Sequence, residues 1–207
     1  MKKLLFTLIV IFTVTTFSQG QGVELTGFYG YQTAASVNVF QGKLKARGAE
    51  NFGAALDISL PFSESSQIEL LYIHQDTQLD LDPFVGADTK LFDASVEYYQ
   101  IGVVKRILQA GPVVPFGAFT AGWATINPDE AGRSSESRFA MTAGAGAKIY
   151  FGKVGLRLQA RLLAPIQWGS GGLFCGSGGC SVGVGATTSI IQADFTGGVF
   201  LSLGDNN

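Results

Sequence analysis

The chain has 207 residues, 46% of them hydrophobic and only 14% charged, with 28 glycines, 16 phenylalanines and a formal net charge of -2. A soluble domain usually carries roughly 25% charged residues, so the deficit points to a surface that faces lipid. The slight acidity, with no Lys/Arg cluster along the chain, argues against a nucleic-acid partner, and the length suits one domain.

Met1-Lys2-Lys3 is a short positive segment, Leu4 to Phe17 is apolar, and Ser18-Gln19-Gly20 supplies small residues where a signal peptidase would read them. Residues 1–20 therefore read as a cleavable signal peptide and 21–207 as one barrel domain. The apolar run is shorter than the ~20 residues that a spanning helix needs. No other continuous apolar run is long enough for a helix, so any membrane crossing must be made by strands.

Period-2 alternation predicts eight strands, at 23–32, 46–60, 67–76, 91–105, 113–125, 137–151, 154–165 and 189–203. The connections alternate in length. Residues 33–45, 77–90, 126–136 and 166–188 are long, whereas 61–66, 106–112 and 152–153 are short. The fold class expected is all-β: an eight-stranded antiparallel up-and-down transmembrane β-barrel. Its four long loops would be extracellular, with both termini periplasmic.

The hairpin over 137–163 states the pattern most plainly. Phe139, Met141, Ala143, Ala145, Ala147, Ile149 and Phe151 share one face, as do Val154, Leu156, Leu158, Ala160 and Leu162. Arg138, Lys148, Arg157 and Arg161 fall on the other face. Strand parity adds Arg47 and Asp57 on the second strand, Glu69 and Gln75 on the third and Asp194 on the last. On the fourth strand Asp93, Ser95 and Glu97 share a phase that Gln100 does not, and a bulge near Tyr98-Tyr99 would bring Glu97 inward too. Glu24 joins the same inward set, in which the two signs nearly balance. An eight-stranded barrel is just wide enough for side chains to fill, and sealed charges need partners. The expectation is a salt-bridged plug of Arg47, Asp57, Glu69, Glu97, Arg138, Lys148, Arg157, Arg161 and Asp194. A charged lumen is also what a pore needs. Tyr29, Tyr31, Phe52, Tyr72, Trp123 and Phe139 towards the loop ends, with Phe62 and Phe151 near the turns, suit two interfacial girdles.

Cys175 and Cys180 stand close together on the longest loop, and in an exported chain such a pair reads as a disulfide. No further Cys or His stands beside them to make a metal site. His74 is the sole histidine, with Asp76 on the same strand face. A base with an orienting carboxylate is one reading, yet spacing places no serine with the pair, so a girdle histidine is preferred. Asp76, Asp80, Asp82 and Asp88 read as a solvated acidic loop, since their spacing does not match a calcium loop. No catalytic residue, cofactor or metal is expected.

In its signal segment, its 137–163 hairpin and its closing strand Gly197-Gly198-Val199-Phe200-Leu201-Ser202-Leu203, the chain resembles the small OmpA/OmpX-type and opacity-protein-like outer-membrane β-barrels of Gram-negative bacteria. It departs from the usual form by continuing to Asn207 instead of ending on an aromatic residue. The resemblance implies outer-membrane lipid and lipopolysaccharide around the barrel, and the barrel-assembly machinery as a partner during insertion. Function is expected to be structural or surface interaction, with an extracellular or membrane-protein partner bound through the loops. The alternative is a narrow porin-like channel for ions or small solutes. An outer-leaflet lipid hydrolase ranks third, and no enzyme is expected.

Overall fold

The computed structural model describes residues 22–39, 42–83, 89–107, 111–129, 135–166, 173–176, 179–182 and 191–203. The expected signal peptide lies outside these residues. Eight long strands form: β1 Val23–Gln32, β2 Ala49–Leu60, β3 Ser63–Pro83, β4 Thr89–Arg106, β5 Val113–Pro128, β6 Glu136–Phe151, β7 Val154–Ile166 and β8 Gln192–Ser202. Each pairs antiparallel with its neighbour in sequence. The ring closes where β1 meets β8, from Glu24↔Ser202 to Gln32↔Asp194. The result is a closed up-and-down barrel with no edge in its wall, which satisfies every strand without a partner sheet.

Local chemistry explains the connections. The β6–β7 turn is Gly152-Lys153, and Gly152 takes φ 77°, a conformation open to glycine at no steric cost. Pro61-Phe62 turns β2 into β3, a tighter link than the 61–66 connection expected from sequence.

Two features depart from the expected layout. β3 runs on through Thr77-Gln78-Leu79-Asp80 to Pro83, a stretch read from sequence as loop. Its extra length pairs on one side with Thr89–Phe92 of β4 and on the other with a hairpin built from the first long loop, Ala35–Val39 and Gly42–Ala46. These partners take up its backbone groups, so the acidic alternation can be strand. The register shift falls between Leu79 and Asp80. It does not fall at Tyr98-Tyr99, where β4 pairs without interruption with both neighbours.

Between a register shift at Ser59/Leu60 and the one at Leu79/Asp80 the wall therefore keeps one parity. Outward positions such as Leu25, Ile101, Phe119, Leu158, Leu162, Phe195 and Val199 are exposed apolar side chains. Tyr29, Tyr31, Phe52, Tyr99 and Trp123 are exposed towards the loop ends, and Phe62 and Phe151 at the turns. An apolar band between aromatic girdles is the outer surface that a membrane barrel requires. Placed there, Leu158→Arg should lower stability by about 2–4 kcal/mol, while Phe151→Arg at the turn end should cost about 0–1 kcal/mol. Urea unfolding in lipid vesicles measures both, and equal costs would contradict this placement of the wall.

Candidate functional site

Glu24 on β1, Asp57 on β2 and Glu69 on β3 are direct register partners, and all three are buried inside the barrel. Like charges directly opposite across strands repel, so this wall needs cations facing it. They come from the far side of the lumen, where Lys148 on β6 and Arg157 on β7 are register partners of each other. Lys148 Nζ donates to Glu24 Oε2 at 2.5 Å, to Asp57 Oδ2 at 2.7 Å and to Gln67 Oε1 at 2.9 Å, which uses all three of its protons. Arg157 donates from Nη1 to Asp57 Oδ2 at 3.0 Å, from Nη2 to Glu69 Oε2 at 2.5 Å and from Nε to Gln159 Oε1 at 3.1 Å. The Tyr150 hydroxyl donates to the other oxygen of Glu24 at 2.9 Å. Acidic and basic rows are thus tied together across the lumen.

A second layer lies nearer the loops. Arg161 Nε donates to Asp194 Oδ2 at 2.6 Å, and Asn51 Nδ2 reaches the other Asp194 oxygen at 2.5 Å. Gln32 Nε2 donates to Gln192 Oε1 at 2.7 Å above them.

Aromatic rings on the polar parity fill the space between. Arg161 Cζ lies 4.5 Å from the Phe28 ring centroid, Arg157 Cζ lies 4.8 Å from that of Phe116, and Lys148 Nζ lies 5.8 Å from those of Phe116 and Phe200. Each ring lies against a glycine directly across the ladder: Phe28 on Gly53, Phe116 on Gly146, Phe200 on Gly155. A Cβ at any of these glycines would strike the ring. The rings stack on the cations and lower the cost of holding them away from water.

Of the residues expected inside, Asp57, Glu69, Lys148, Arg157, Arg161 and Asp194 stand in this assembly. Three do not. Arg47 lies in the loop before β2, its side chain 62% exposed, and its Nε donates to Asp80 Oδ2 at 2.5 Å. Asp80, expected on a solvated loop, is buried, because the shift after Leu79 turns it towards Arg47. Glu97 lies on the outer wall, because Ala94, Tyr98, Gln100 and Val104 hold the inner parity of β4 without a break. Arg138 keeps the inner parity at the loop-end rim, where Nη2 donates to Glu136 at 2.8 Å.

His74 is also on the outer wall, its ring centroid 4.9 Å from that of Phe52. Nε2 faces Asp76 Oδ1 at 3.2 Å and Nδ1 faces Glu97 Oε1 at 3.5 Å, so a carboxylate stands beside each nitrogen. The Tyr72 and Tyr99 hydroxyls donate to the two oxygens of Glu97 at 3.1 and 3.2 Å. Cys175 and Cys180 are direct register partners in a short loop hairpin, Leu173–Gly176 with Gly179–Val182.

Removing one side of the cross-lumen tie leaves buried charge without a partner. Lys148→Met should lower stability by about 3–5 kcal/mol, and adding Glu24→Gln should recover part of the loss. Urea unfolding of the folded barrel in vesicles tests this, and equal losses in the single and double variants would show that charge pairing is not what the substitution breaks.

No protein-family model matches the chain, and no curated protein matches it. Among solved structures it is similar to Neisserial surface protein A, with a TM-score of 0.57 and 11% identity over 88% of this chain and 97% of that one. It is likewise similar to the outer membrane protein OprG from Pseudomonas aeruginosa, with a TM-score of 0.54 and 12% identity over 89% of this chain and 94% of that one. Identity this low speaks to the fold and to nothing narrower. The chain has the fold of the small eight-stranded outer-membrane β-barrels, the architecture of the OmpA/OmpX-type and opacity-protein-like proteins.

Proposed function

We propose that the protein is a closed outer-membrane barrel that acts as a structural or surface-interaction protein through its loops. One observation supports this above the rest: Lys148 and Arg157 reach across the lumen to Glu24, Asp57 and Glu69, joining opposite walls through buried charges. Side chains committed in this way occupy the space that a solute path would need. The scaffold then holds the loop end in a defined shape for a partner outside the cell or within the membrane. In this reading residues 1–20 direct export and the barrel-assembly machinery inserts the barrel. Both termini lie in the periplasm, and lipopolysaccharide surrounds the outward half.

The extension of β3 and β4 past the barrel, with the 35–46 hairpin added to it, continues the barrel's sheet beyond the rim at the loop end. The Arg47–Asp80 pair sits where that sheet meets the rim. On the last loop, directly opposed strand positions lie within the separation that a disulfide spans, so we assign a Cys175–Cys180 bridge. The mature protein purified without reductant should take up no maleimide, and should take up two per chain after reduction. Labelling before reduction would remove the bridge.

Planar-bilayer recording separates the closed barrel from the narrow-channel reading. The refolded mature protein should give no conductance steps. Regular steps whose size or ion selectivity changes in a variant with Arg157 and Arg161 both replaced by Gln would mean an open interior and would put the channel reading first.

A further inference from the structure

The cross-lumen tie has more carboxyls than cations. Glu24, Asp57 and Glu69 face Lys148 and Arg157, so three acids meet two bases and one negative charge is left over. Arg161 does not make up the difference, because it is committed to Asp194 in the next layer. Elsewhere on the inner parity, Arg138 pairs with Glu136 at the loop-end rim, and Arg106, partly exposed at the turn end, faces the Tyr150 hydroxyl. Tyr98 on β4 lies with the Asp194 layer, and the inner positions of β5 from Val114 to Ala124 carry no titratable side chain.

The hydrogen bonds show where the surplus lies. Both Glu24 oxygens accept, from Lys148 and Tyr150, and both Asp194 oxygens accept, from Asn51 and Arg161. Asp57 and Glu69 accept on one oxygen each, Oδ2 and Oε2. Asp57 Oδ1 and Glu69 Oε1 are buried and accept no hydrogen bond from any described residue. The two residues are 0% and 1% exposed and are direct register partners, with their carboxyls in hydrogen-bond reach of one another. Two ionised carboxylates held face to face away from water repel strongly, and one proton between them removes the repulsion. A metal ion fits poorly, since a hard cation takes about six to eight oxygen ligands and two oxygens are open here.

We propose that Asp57 and Glu69 form a proton-binding dyad: at neutral pH the pair holds one proton, and the O–H of one carboxyl donates to the free oxygen of the other. Three carboxyls, one proton and two cations then sum to zero charge, and both open oxygens gain a partner. The dyad also gives the tie a response to pH, because loss of the proton sets two buried charges against each other.

Infrared spectroscopy of the refolded barrel in lipid vesicles tests this at the carbonyl stretch of a protonated carboxyl. Wild type at neutral pH should show that band, shifted in heavy water. Glu69→Gln and Asp57→Asn should each abolish it, because removing either acid leaves the charges balanced without a proton. Glu97→Gln, on the outer wall, should leave it unchanged. Heat-modifiable mobility on gels verifies folding of each variant. Urea unfolding gives an independent readout. Unfolded Asp and Glu release their protons at about pH 4, so above that the folded dyad holds a proton that the unfolded chain does not, and stability falls as pH rises. The wild-type unfolding constant should therefore climb from neutral to alkaline pH by up to about tenfold per pH unit relative to Glu69→Gln. Absence of the band at neutral pH, its survival in either dyad variant, its loss in Glu97→Gln, or parallel pH slopes in wild type and Glu69→Gln would each overturn the proposal.

Discussion

The structure depends on a charge separation across the lumen. Three carboxylates in one row on β1–β3 face two cations in one row on β6–β7. Neither row is stable alone, because neighbouring like charges repel and a buried ion without a partner is too costly. Together they tie strands that are far apart in the ring, since Lys148 bonds groups on β1, β2 and β3 while Arg157 bonds β2 and β3. The arrangement also guards register. A slip of one residue on any of these strands would carry its charge to the lipid face and an apolar side chain to the lumen.

Around that tie the interior is packed in an unusual currency of rings and guanidinium planes. Phe28, Phe116 and Phe200 occupy positions that alternation alone would assign to polar groups. They fit because the facing residue on the next strand is glycine in each case, which lets the ring lie flat on the wall. The cations then have a polarisable surface on one side and carboxylates on the other. Leu71, Ile73, Tyr98 and Leu163 add a buried apolar cluster, so the narrow barrel is filled by ion pairs, rings and aliphatic side chains together.

The same geometry gives the two ends of the molecule different work. The turn end is closed by short links and girdle phenylalanines. The loop end carries strands that continue past the wall, a hairpin joined to their edge, and the Arg47–Asp80 pair at the rim. The polar cluster on the outer wall lies at that end as well, with Glu97, His74 and two tyrosines above an apolar groove. That difference between the ends, with the cross-lumen ion pairs, is what supports the surface-interaction role proposed above.

Much was legible in the residues alone. Period 2 is a property of the strand itself, so the number of strands, their antiparallel order and the lipid-facing phase of β2, β3, β6, β7 and β8 followed from counting. Burial cost then implied that inward charges are paired. Which charges pair was not legible, because partners on β1 and β6 are 124 residues apart and meet only when the ring closes. The phase of β4 was lost for a related reason. Glu97 is polar and was drawn inward by its type, whereas its neighbours Tyr98 and Gln100 set the parity, and its own stabilisation comes from Tyr72 and His74 on the adjacent strand. Asp80 and Arg47 likewise needed the shift after Leu79, which depends on how β3 meets β4. Sequence by itself determined what each strand could show to lipid and to the lumen. Tertiary structure decided which groups face one another, since register and closure bring together residues that no local spacing relates.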